Sequence, residues 1–515
     1  MTEYSRNNYI INTNKNAHYD VDDLPGALLE VSTVAMTDPC VDPSIAWTKG
    51  YGHGTCSGHP HSIALTAADG GFLVVGDCVN HFLADNGGRV GTGNHWPAEL
   101  KLAMLVVKTS ASGEMEWSFR YDNGVGSNYG KFAAELADGT LLVCCSTSIV
   151  DADAEATGFV WVQRRVVLRL SARGELLSET ILPFSGGTVD LGRREGFMCV
   201  AAGPIAADEG GEHQVVYLTG YVCSESGYDA ERNEYDQDPM FLISLGHAFI
   251  MTLAFSTDDL AAPPRQLDEL TLTPAAMETS VVFRQGMRVV YDDALEQVVV
   301  LAAASTHEED YEPHFAAVAV DAADVTNVRW HCIYCGSRSE VQLRASHPYA
   351  MTRAALPGGY VLAGHSFHDS MNAGRPVGRA LKISAGDGSV VWDAQFAEPG
   401  LHLNTECYGV CVVPEGVLLS CGTGSHDDEA SAAENIWRCL MVLLDARDGT
   451  ARFVRPYILG GNKAGGGEVT ANNAGEFVLA TPDGGAIVAI DSQTFGPEGT
   501  GGNFALMKIL PESLV

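Results

Sequence analysis

Apolar and polar positions alternate along this chain in a short unit that returns many times. Residues 61–80 (HSIALTAADGGFLVVGDCVN), 349–368 (YAMTRAALPGGYVLAGHSFH) and 475–494 (GEFVLATPDGGAIVAIDSQT) each contain two apolar runs around a two-residue glycine turn. Short apolar runs on both sides of such a turn are typical of a β-hairpin. After a variable insert a second hairpin follows, for example at 102–124 and 378–400. Each unit therefore predicts four antiparallel strands.

Repetition of a four-stranded unit along a whole chain is typical of a β-propeller, in which each unit is one blade. We predict an all-β, seven-bladed β-propeller of four-stranded antiparallel blades. The third and fourth units keep the strand pattern but lose or lengthen the glycine turn, so their boundaries within 185–336 are the least defined. The predicted blades lie at about residues 61–123, 131–184, 196–273, 280–336, 347–400, 405–461 and 474–515.

The two ends of the chain complement each other. The seventh unit stops after its third strand, while residues 44–52 match the fourth strands of other units and place Trp47 at the repeat position of Trp117, Trp330 and Trp392. We predict that this N-terminal strand completes the last blade and closes the ring, which removes the open sheet edge. The four tryptophans are interpreted as packing residues between blades. Residues 44–515 then form a single domain, preceded by an N-terminal extension at 1–43.

The units resemble the non-WD40 repeats of quinoprotein-like and related bacterial-type β-propellers. The resemblance rests on an Asp-Gly-Gly turn, an apolar strand ending in glycine, and segments such as LVVKTSASGEMEW (105–117). It covers about residues 45–515 and implies a fold rather than a function. Quinone binding in such propellers would need a tryptophan platform at the channel. The tryptophans here fall on the fourth strands, so a quinone cofactor is not predicted.

Composition narrows the classes of partner. Asp and Glu number 65 against 31 Lys and Arg, a net charge of −34, so nucleic acid and anionic membrane surfaces are not expected partners. Neither a signal peptide nor an apolar membrane span is visible, which predicts a soluble, intracellular protein. Many of the 13 cysteines lie in apolar strands, as buried thiols do in a reducing compartment.

Residues 51–62 (YGHGTCSGHPHS) resemble the histidine box of subtilisin-like proteases at His53, Gly54 and Thr55. The serine turn and the aspartate that such a box requires are missing, and so is an α/β pattern. We interpret the segment as a joint between repeats. It nevertheless leads into the first inner strand, at the mouth of the predicted channel.

At the mouth of the predicted channel, polar residues of both signs stand just before each inner strand. If the protein is an enzyme, the candidate catalytic residues are His59, His61, His347 and Glu406. The candidate binding residues for a small polar or anionic ligand are Lys131, Arg193, Arg194 and Glu278. The candidate ligands for a divalent metal ion are His59, His61 and His347, together with Asp151, Asp153 and Glu155. The last three alternate as cation ligands can, but they lack the EF-hand glycine and terminal glutamate.

Long inserts fall mostly between the second and third strands, on one face of the predicted ring, and several are acidic: 151–155, 224–238, 307–313 and 426–430. Elaborated loops on a rigid scaffold often carry function. Two hypotheses remain open. In the first, the protein is a non-catalytic propeller whose acidic, loop-decorated face binds a protein partner or another ligand. In the second, it is a propeller enzyme (lyase, hydrolase or isomerase) with a histidine-based metal or general-base site at the channel mouth.

Overall fold

The computed structural model describes residues 44–51, 57–79, 102–123, 128–150, 161–185, 194–209, 211–223, 228–229, 234–235, 246–306, 313–335, 343–354, 358–368, 375–398, 403–424, 437–457, 459, 473–492 and 503–514. Within these ranges the regular structure is β-sheet, antiparallel except for one parallel bridge, together with a 3₁₀ turn at Pro511–Ser513. None of the described helical segments has the length and apolar character to cross a membrane.

Five separate sheets each contain four antiparallel strands. Sheet I comprises β2 (Ser57–Leu65), β3 (Phe72–Val79), β4 (Leu102–Thr109) and β5 (Met115–Tyr121). Sheet IV comprises β16 (Val282–Asp292), β17 (Gln297–Ser305), β18 (His314–Asp321) and β19 (Val328–Tyr334). Sheet V comprises β20 (Leu343–Ala354), β21 (Gly359–His368), β22 (Val377–Ser384) and β23 (Val390–Phe396). Sheet VI comprises β24 (Asn404–Val413), β25 (Gly416–Gly424), β26 (Arg438–Leu444) and β27 (Ala451–Tyr457). Sheet VII comprises β28 (Asn473–Ala480), β29 (Ala486–Ser492), β30 (Asn503–Ile509) and β1 (Ile45–Tyr51).

An eight-stranded sheet accounts for most of the region between sheets I and IV. Its half II contains β6 (Asn128–Glu135), β7 (Leu141–Val150), β8 (Trp161–Leu170) and β9 (Leu176–Ile181), and its half III contains β10 (Arg194–Asp208), β11 (Gly211–Cys223), β14 (His247–Ser256) and β15 (Arg265–Thr271). Each half is antiparallel, and one parallel bridge between Arg194 and Gln163 joins them. A separate two-stranded ladder pairs β12 (Tyr228–Asp229) with β13 (Glu234–Tyr235).

The structure confirms an all-β propeller of four-stranded antiparallel blades. The separate four-stranded sheets number five rather than the predicted seven, because the Arg194–Gln163 bridge merges two four-stranded groups into one sheet. The pairing of β1 with β30 agrees with the predicted position of the N-terminal strand, with Thr48 opposite Met507.

The core lies between neighbouring sheets, where apolar strand residues of one sheet pack on those of the next. One cluster, for example, combines Ile250 of half III with Val298 and Val318 of sheet IV. Another combines Ile63 and Val74 of sheet I with Ile487 of sheet VII. Burial of both faces explains why the middle strands are almost continuously apolar.

A repeated contact joins the outer strand of one sheet to the turn between the third and fourth strands of the next. In each case a tryptophan ring covers a turn glycine with positive φ, the conformation that glycine adopts without strain. The pairs are Trp47–Gly113, Trp117–Gly174, Trp330–Gly388 and Trp392–Gly449. The predicted packing role of these four tryptophans therefore has a specific partner.

The inner strands meet at the centre of the molecule. Phe132 on β6 and Phe477 on β28 lie edge to face with their ring centroids 5.6 Å apart. The Arg288 guanidinium, from β16 in sheet IV, is 5.4 Å from the Phe132 ring and 5.5 Å from the Phe477 ring. Side chains from three different sheets can meet in this way because all three inner strands face the propeller axis.

Candidate ligand site in the central channel

A β-bulge at one position of every inner strand shapes the channel wall. The register of each first hairpin shifts by one residue there, which leaves one residue without a direct partner and turns its side chain out of the regular alternation. The residues at this recurring bulge are His61, Lys131, Met198, Met287, Tyr349, Tyr408 and Glu476, and β10, β16 and β20 each have a second register shift elsewhere. Most of them are polar or aromatic, although they lie beside the apolar core.

Three potential metal ligands meet where sheet I faces sheet VII. His59 on β2 lies with Nδ1 3.1 Å from Asp491 Oδ2 and with Nε2 4.0 Å from Glu476 Oε2. One ligand atom from each residue can be chosen so that all three lie within 4.8 Å of one another. The side chains are 26%, 23% and 13% exposed for His59, Asp491 and Glu476, so the cluster is enclosed but still open to solvent.

Electrostatics in this cluster depart from those of isolated side chains. Burial alone would lower the pKa of His59, but the carboxylates of Asp491 and Glu476 outweigh it and raise that pKa to about 9. Burial raises the pKa of Glu476 to about 7, and the negative charges of Asp491 and Glu406 act in the same direction, against the opposing effect of His59. Without a bound ion, His59 and Asp491 therefore form an ion pair at neutral pH.

A second polar group lies next to the first, on β2, β3 and β6. His61 Nε2 is 2.7 Å from Asp77 Oδ2 and 3.2 Å from Lys131 Nζ, and the His59 and His61 rings are 4.8 Å apart. Burial and the Lys131 charge lower the pKa of His61 to about 4, so its imidazole is neutral at pH 7. Asp77 also accepts a hydrogen bond from the Gly130 amide at 2.7 Å, which fixes the carboxylate across the interface between sheet I and half II.

An aromatic group continues the wall on the other side of Glu476. The Tyr408 hydroxyl donates a hydrogen bond to Glu406 Oε2, and the Tyr408 and Tyr349 rings meet edge to face at 4.9 Å. Tyr349 stacks on His365 at 5.3 Å. Burial, followed by the charge of Glu406, raises the pKa of Tyr408 well above its usual range, so this hydroxyl keeps its proton.

One buried cation, Arg288, lies against two aromatic rings next to the bulged residues. Arg288 is 9% exposed and lies against Phe132 and Phe477, each of which directly follows a bulged residue. Arg288 Nη1 donates a hydrogen bond to the Met287 carbonyl at 2.8 Å, while its buried Nε has no hydrogen-bond partner among the described residues. Burial lowers the pKa of this guanidinium from its usual value.

The residues expected at the channel from the sequence divide into three groups. The structure brings together His59, His61, Lys131 and Glu406. It places Arg194 at the start of β10, beside the bridge to Gln163, and Glu278 in the exposed turn between β15 and β16, so neither joins this cluster. The backbone of His347 is opposite that of His365 in the β20–β21 ladder, and the His347 side chain lies outside the described part of the structure. Arg193, Asp151, Asp153 and Glu155 lie outside the described residues.

Several wall residues were missed from the sequence: Asp77, Asp491, Glu476, Tyr349 and Tyr408. The first two stand on second strands, β3 and β29, and every candidate from the sequence was sought elsewhere. The other three are bulged residues, which a strict two-residue alternation misplaces. A usable signal was present, because glycine or proline directly precedes the bulged residue in five inner strands, at Pro60, Gly130, Gly286, Pro348 and Gly475. Both residue types are characteristic of irregular positions in strands.

The cysteines do not add a second site within the described residues. Cys332 on β19 is half-buried, and Cys335, just after this strand, is exposed. Cys407 and Cys411 are buried in β24, as expected for small core residues.

Neither a protein-family model nor a curated protein matches this sequence. Solved structures match it at low identity. A protein of unknown function from Dyadobacter fermentans DSM 18053 is 12% identical with a TM-score of 0.44, over 91% of this chain and 100% of that one. The quinohemoprotein alcohol dehydrogenase from Comamonas testosteroni is 12% identical with a TM-score of 0.38, over 90% and 76%. The NanB sialidase from Streptococcus pneumoniae is 8% identical with a TM-score of 0.40, over 92% and 71%. The predicted resemblance to β-propeller repeats is confirmed, for the fold alone, by the four-stranded antiparallel sheets.

Proposed function

We propose, first, that the propeller has seven blades in a closed ring, with halves II and III of the eight-stranded sheet as separate blades. A single bridge joins the two halves, whereas each half has a full set of antiparallel pairs. The contact of Trp47 on β1 with Gly113 of sheet I supports closure, because it repeats the contact between Trp117 and Gly174.

We propose that the central channel binds a divalent metal ion through His59, Glu476 and Asp491, and that the protein is an enzyme acting on a small polar molecule beside this ion. The observation that carries the proposal is the convergence of one imidazole and two carboxylates, from β2, β28 and β29, within 4.8 Å. Metal–ligand distances of about 2.0–2.2 Å place neighbouring ligand atoms about 3 Å apart, so small side-chain rotations suffice to close the site.

The donor set favours a borderline ion. Imidazole suits zinc and similar transition metals, while carboxylates also suit manganese. Three protein ligands leave coordination positions for water or substrate, which is the arrangement of catalytic rather than structural zinc sites. The neighbouring His61, Asp77 and Lys131 add polar groups within reach of a molecule bound at the ion.

Isothermal titration of the metal-free full-length protein with Zn²⁺, and separately with Mn²⁺, tests the proposal. We expect one ion per chain, with affinity at least tenfold weaker in His59→Ala and Asp491→Asn. His331→Ala is the matched control, because His331 lies on the outer strand β19 and should leave binding unchanged. Equal affinity and stoichiometry in wild type and His59→Ala would rule out this site.

The hypothesis of an acidic docking face concerns loops at 151–155, 224–238, 307–313 and 426–430. These lie outside the described residues, apart from the short ladder of β12 and β13, so that hypothesis stays a prediction.

A further inference from the structure

Within the described part of the chain, Arg288 lacks the carboxylate partner that several other deeply buried cations of this protein have. Arg165 lies with Nε 3.0 Å from Glu195 Oε2 and Nη1 2.8 Å from Glu269 Oε1. Arg379 lies 2.9 Å from Asp393, and Lys108 lies 2.7 Å from Asp69. Arg169 is likewise paired with Asp138. Among the described residues, no carboxylate forms an ion pair with Arg288.

An unpaired guanidinium in the interior is unfavourable, because burial removes its hydration without replacing it. The Phe132 and Phe477 rings and the Met287 carbonyl compensate for this loss only in part. Burial lowers the pKa of Lys131, and the charge of the nearby Arg288 acts in the same direction. Among the described residues, Asp77 is the only carboxylate within 4.0 Å of either cation, at 3.9 Å from Lys131 Nζ.

We infer that Arg288 and Lys131 bind an oxyanion, a carboxylate or a phosphate group, carried by the small molecule that occupies the channel. The inference deepens the proposed function, since it names the class of molecule that acts beside the His59 site. A planar guanidinium with free N–H groups matches the two oxygens of such an anion. Phe132 and Phe477 pack against this guanidinium, so the anionic group binds next to the two rings.

The position of the site also limits the size of the ligand. Its anionic end lies between Lys131, which is a bulged residue, and Arg288, which is one residue beyond the bulge of its strand, while the rest faces His61 and Glu476. A small acid or phosphate ester spans such neighbouring layers.

Malonate and inorganic phosphate are suitable probes. Each is titrated calorimetrically into metal-free full-length protein, so that chelation of a metal does not contribute to the heat. We expect at least one of the two to bind, and the tighter one identifies the anionic group. Arg288→Met should weaken that binding at least tenfold, while Arg288→Lys, which keeps the charge, should retain most of it.

Arg265→Met is the matched control, because it removes the same charge from an exposed position on β15, paired with Asp208. Its affinity for the probe should equal that of wild type. If neither probe binds wild type, or if Arg288→Met binds as tightly as wild type, the inference is overturned. Should Arg288→Met fail to fold, Lys131→Met takes its place, with the same expected loss and the same contrary outcome.

The metal titration and the anion titration test the two proposed sites independently. Loss of anion binding in Arg288→Met, without any metal binding in wild type, would refute the His59 site and retain the anion site. Metal binding that depends on His59, without any anion binding, would support the His59 site and refute the anion site.

Discussion

Several carboxylates in this protein are held by partners on a neighbouring sheet or within their own turn. Asp77 belongs to sheet I but accepts its backbone hydrogen bond from Gly130 of half II, and it lies beside His61 and Lys131. Asp69 plays a comparable part at the turn between β2 and β3. It accepts hydrogen bonds from Thr66 Oγ1, the Gly71 amide and Lys108 Nζ. In both cases the ionised carboxylate is the form that the fold stabilises.

The Asp69 turn gives a pH-dependent contribution to stability. Burial alone would raise the pKa of Asp69, but the hydrogen bonds from Lys108, Thr66 and Gly71 outweigh it and lower that pKa from 3.8 to about 2. A carboxyl whose pKa is lower in the folded state stabilises it above the unfolded pKa, and this contribution is lost as the pH falls through about 2. The destabilisation caused by Asp69→Asn should therefore be full at pH 6 and shrink steadily between pH 4 and pH 2.

Urea unfolding at several pH values measures this difference. Asp258→Asn is the control, because Asp258 is exposed and has no hydrogen-bond or ion-pair partner among the described residues. Its effect should be small at every pH. A destabilisation by Asp69→Asn that stays constant down to pH 2 would contradict the assignment.

At the scale of strands, the hairpin pattern predicted the strands and their pairing well, but it did not predict which side chains line the channel. The two apolar runs around a glycine turn identify β2 with β3, and β28 with β29, because backbone pairing and two-sided burial dictate both features. The bulge is a local departure from alternation that tertiary packing imposes. At Gly130, a Cβ atom would lie 2.8 Å from the Gly76 carbonyl oxygen of the next sheet. A strict two-residue alternation contains no bulges, so it does not predict that the side chains of Tyr349 and Glu476 face the channel.

The joint between the outer strand of one sheet and the turn of the next makes a second prediction at this scale. A Cβ atom on Gly388, whose φ is 71°, would lie 2.7 Å from Cζ3 of Trp330. A Cβ atom on Gly139, whose φ is 79°, would meet nothing within 4 Å. Both Gly→Ala variants incur the cost of a left-handed alanine, about 1 kcal/mol. Gly388→Ala should lose about 1–3 kcal/mol more, because the turn is overpacked against the indole.

The free energy of unfolding in urea measures both losses, and the difference between them isolates the tryptophan contact. Equal losses would mean that the indole moves aside without cost. In that case the contact of Trp330 with Gly388 would not contribute to the packing of sheet IV on sheet V.

For the whole molecule, a net charge of −34 sets the background for a channel ligand. Such a charge repels anions at long range, but salt screens this repulsion beyond about 10 Å. Local cations inside an enclosed channel act at shorter range and in a medium of lower dielectric constant. An anionic ligand is therefore compatible with an acidic protein only where cations such as Lys131 and Arg288 are concentrated.

Closure of the ring is the remaining property of the whole molecule, and it has a matched test. Gly113 in the β4–β5 turn contacts Trp47, which lies on the N-terminal strand β1 of sheet VII, and a Cβ atom there would lie 2.6 Å from the indole. Gly174 in half II makes the same contact with Trp117 of sheet I, at 2.7 Å. The φ angles, 79° and 82°, are nearly identical.

Gly113→Ala and Gly174→Ala should therefore lower the free energy of unfolding by similar amounts if sheets VII and I are joined as firmly as sheet I and half II. A full loss for Gly174→Ala, with Gly113→Ala losing no more than Gly139→Ala, would show that the ring is open at this joint. It would also separate His59 from Asp491 and Glu476, so this comparison tests the scaffold on which the metal site depends.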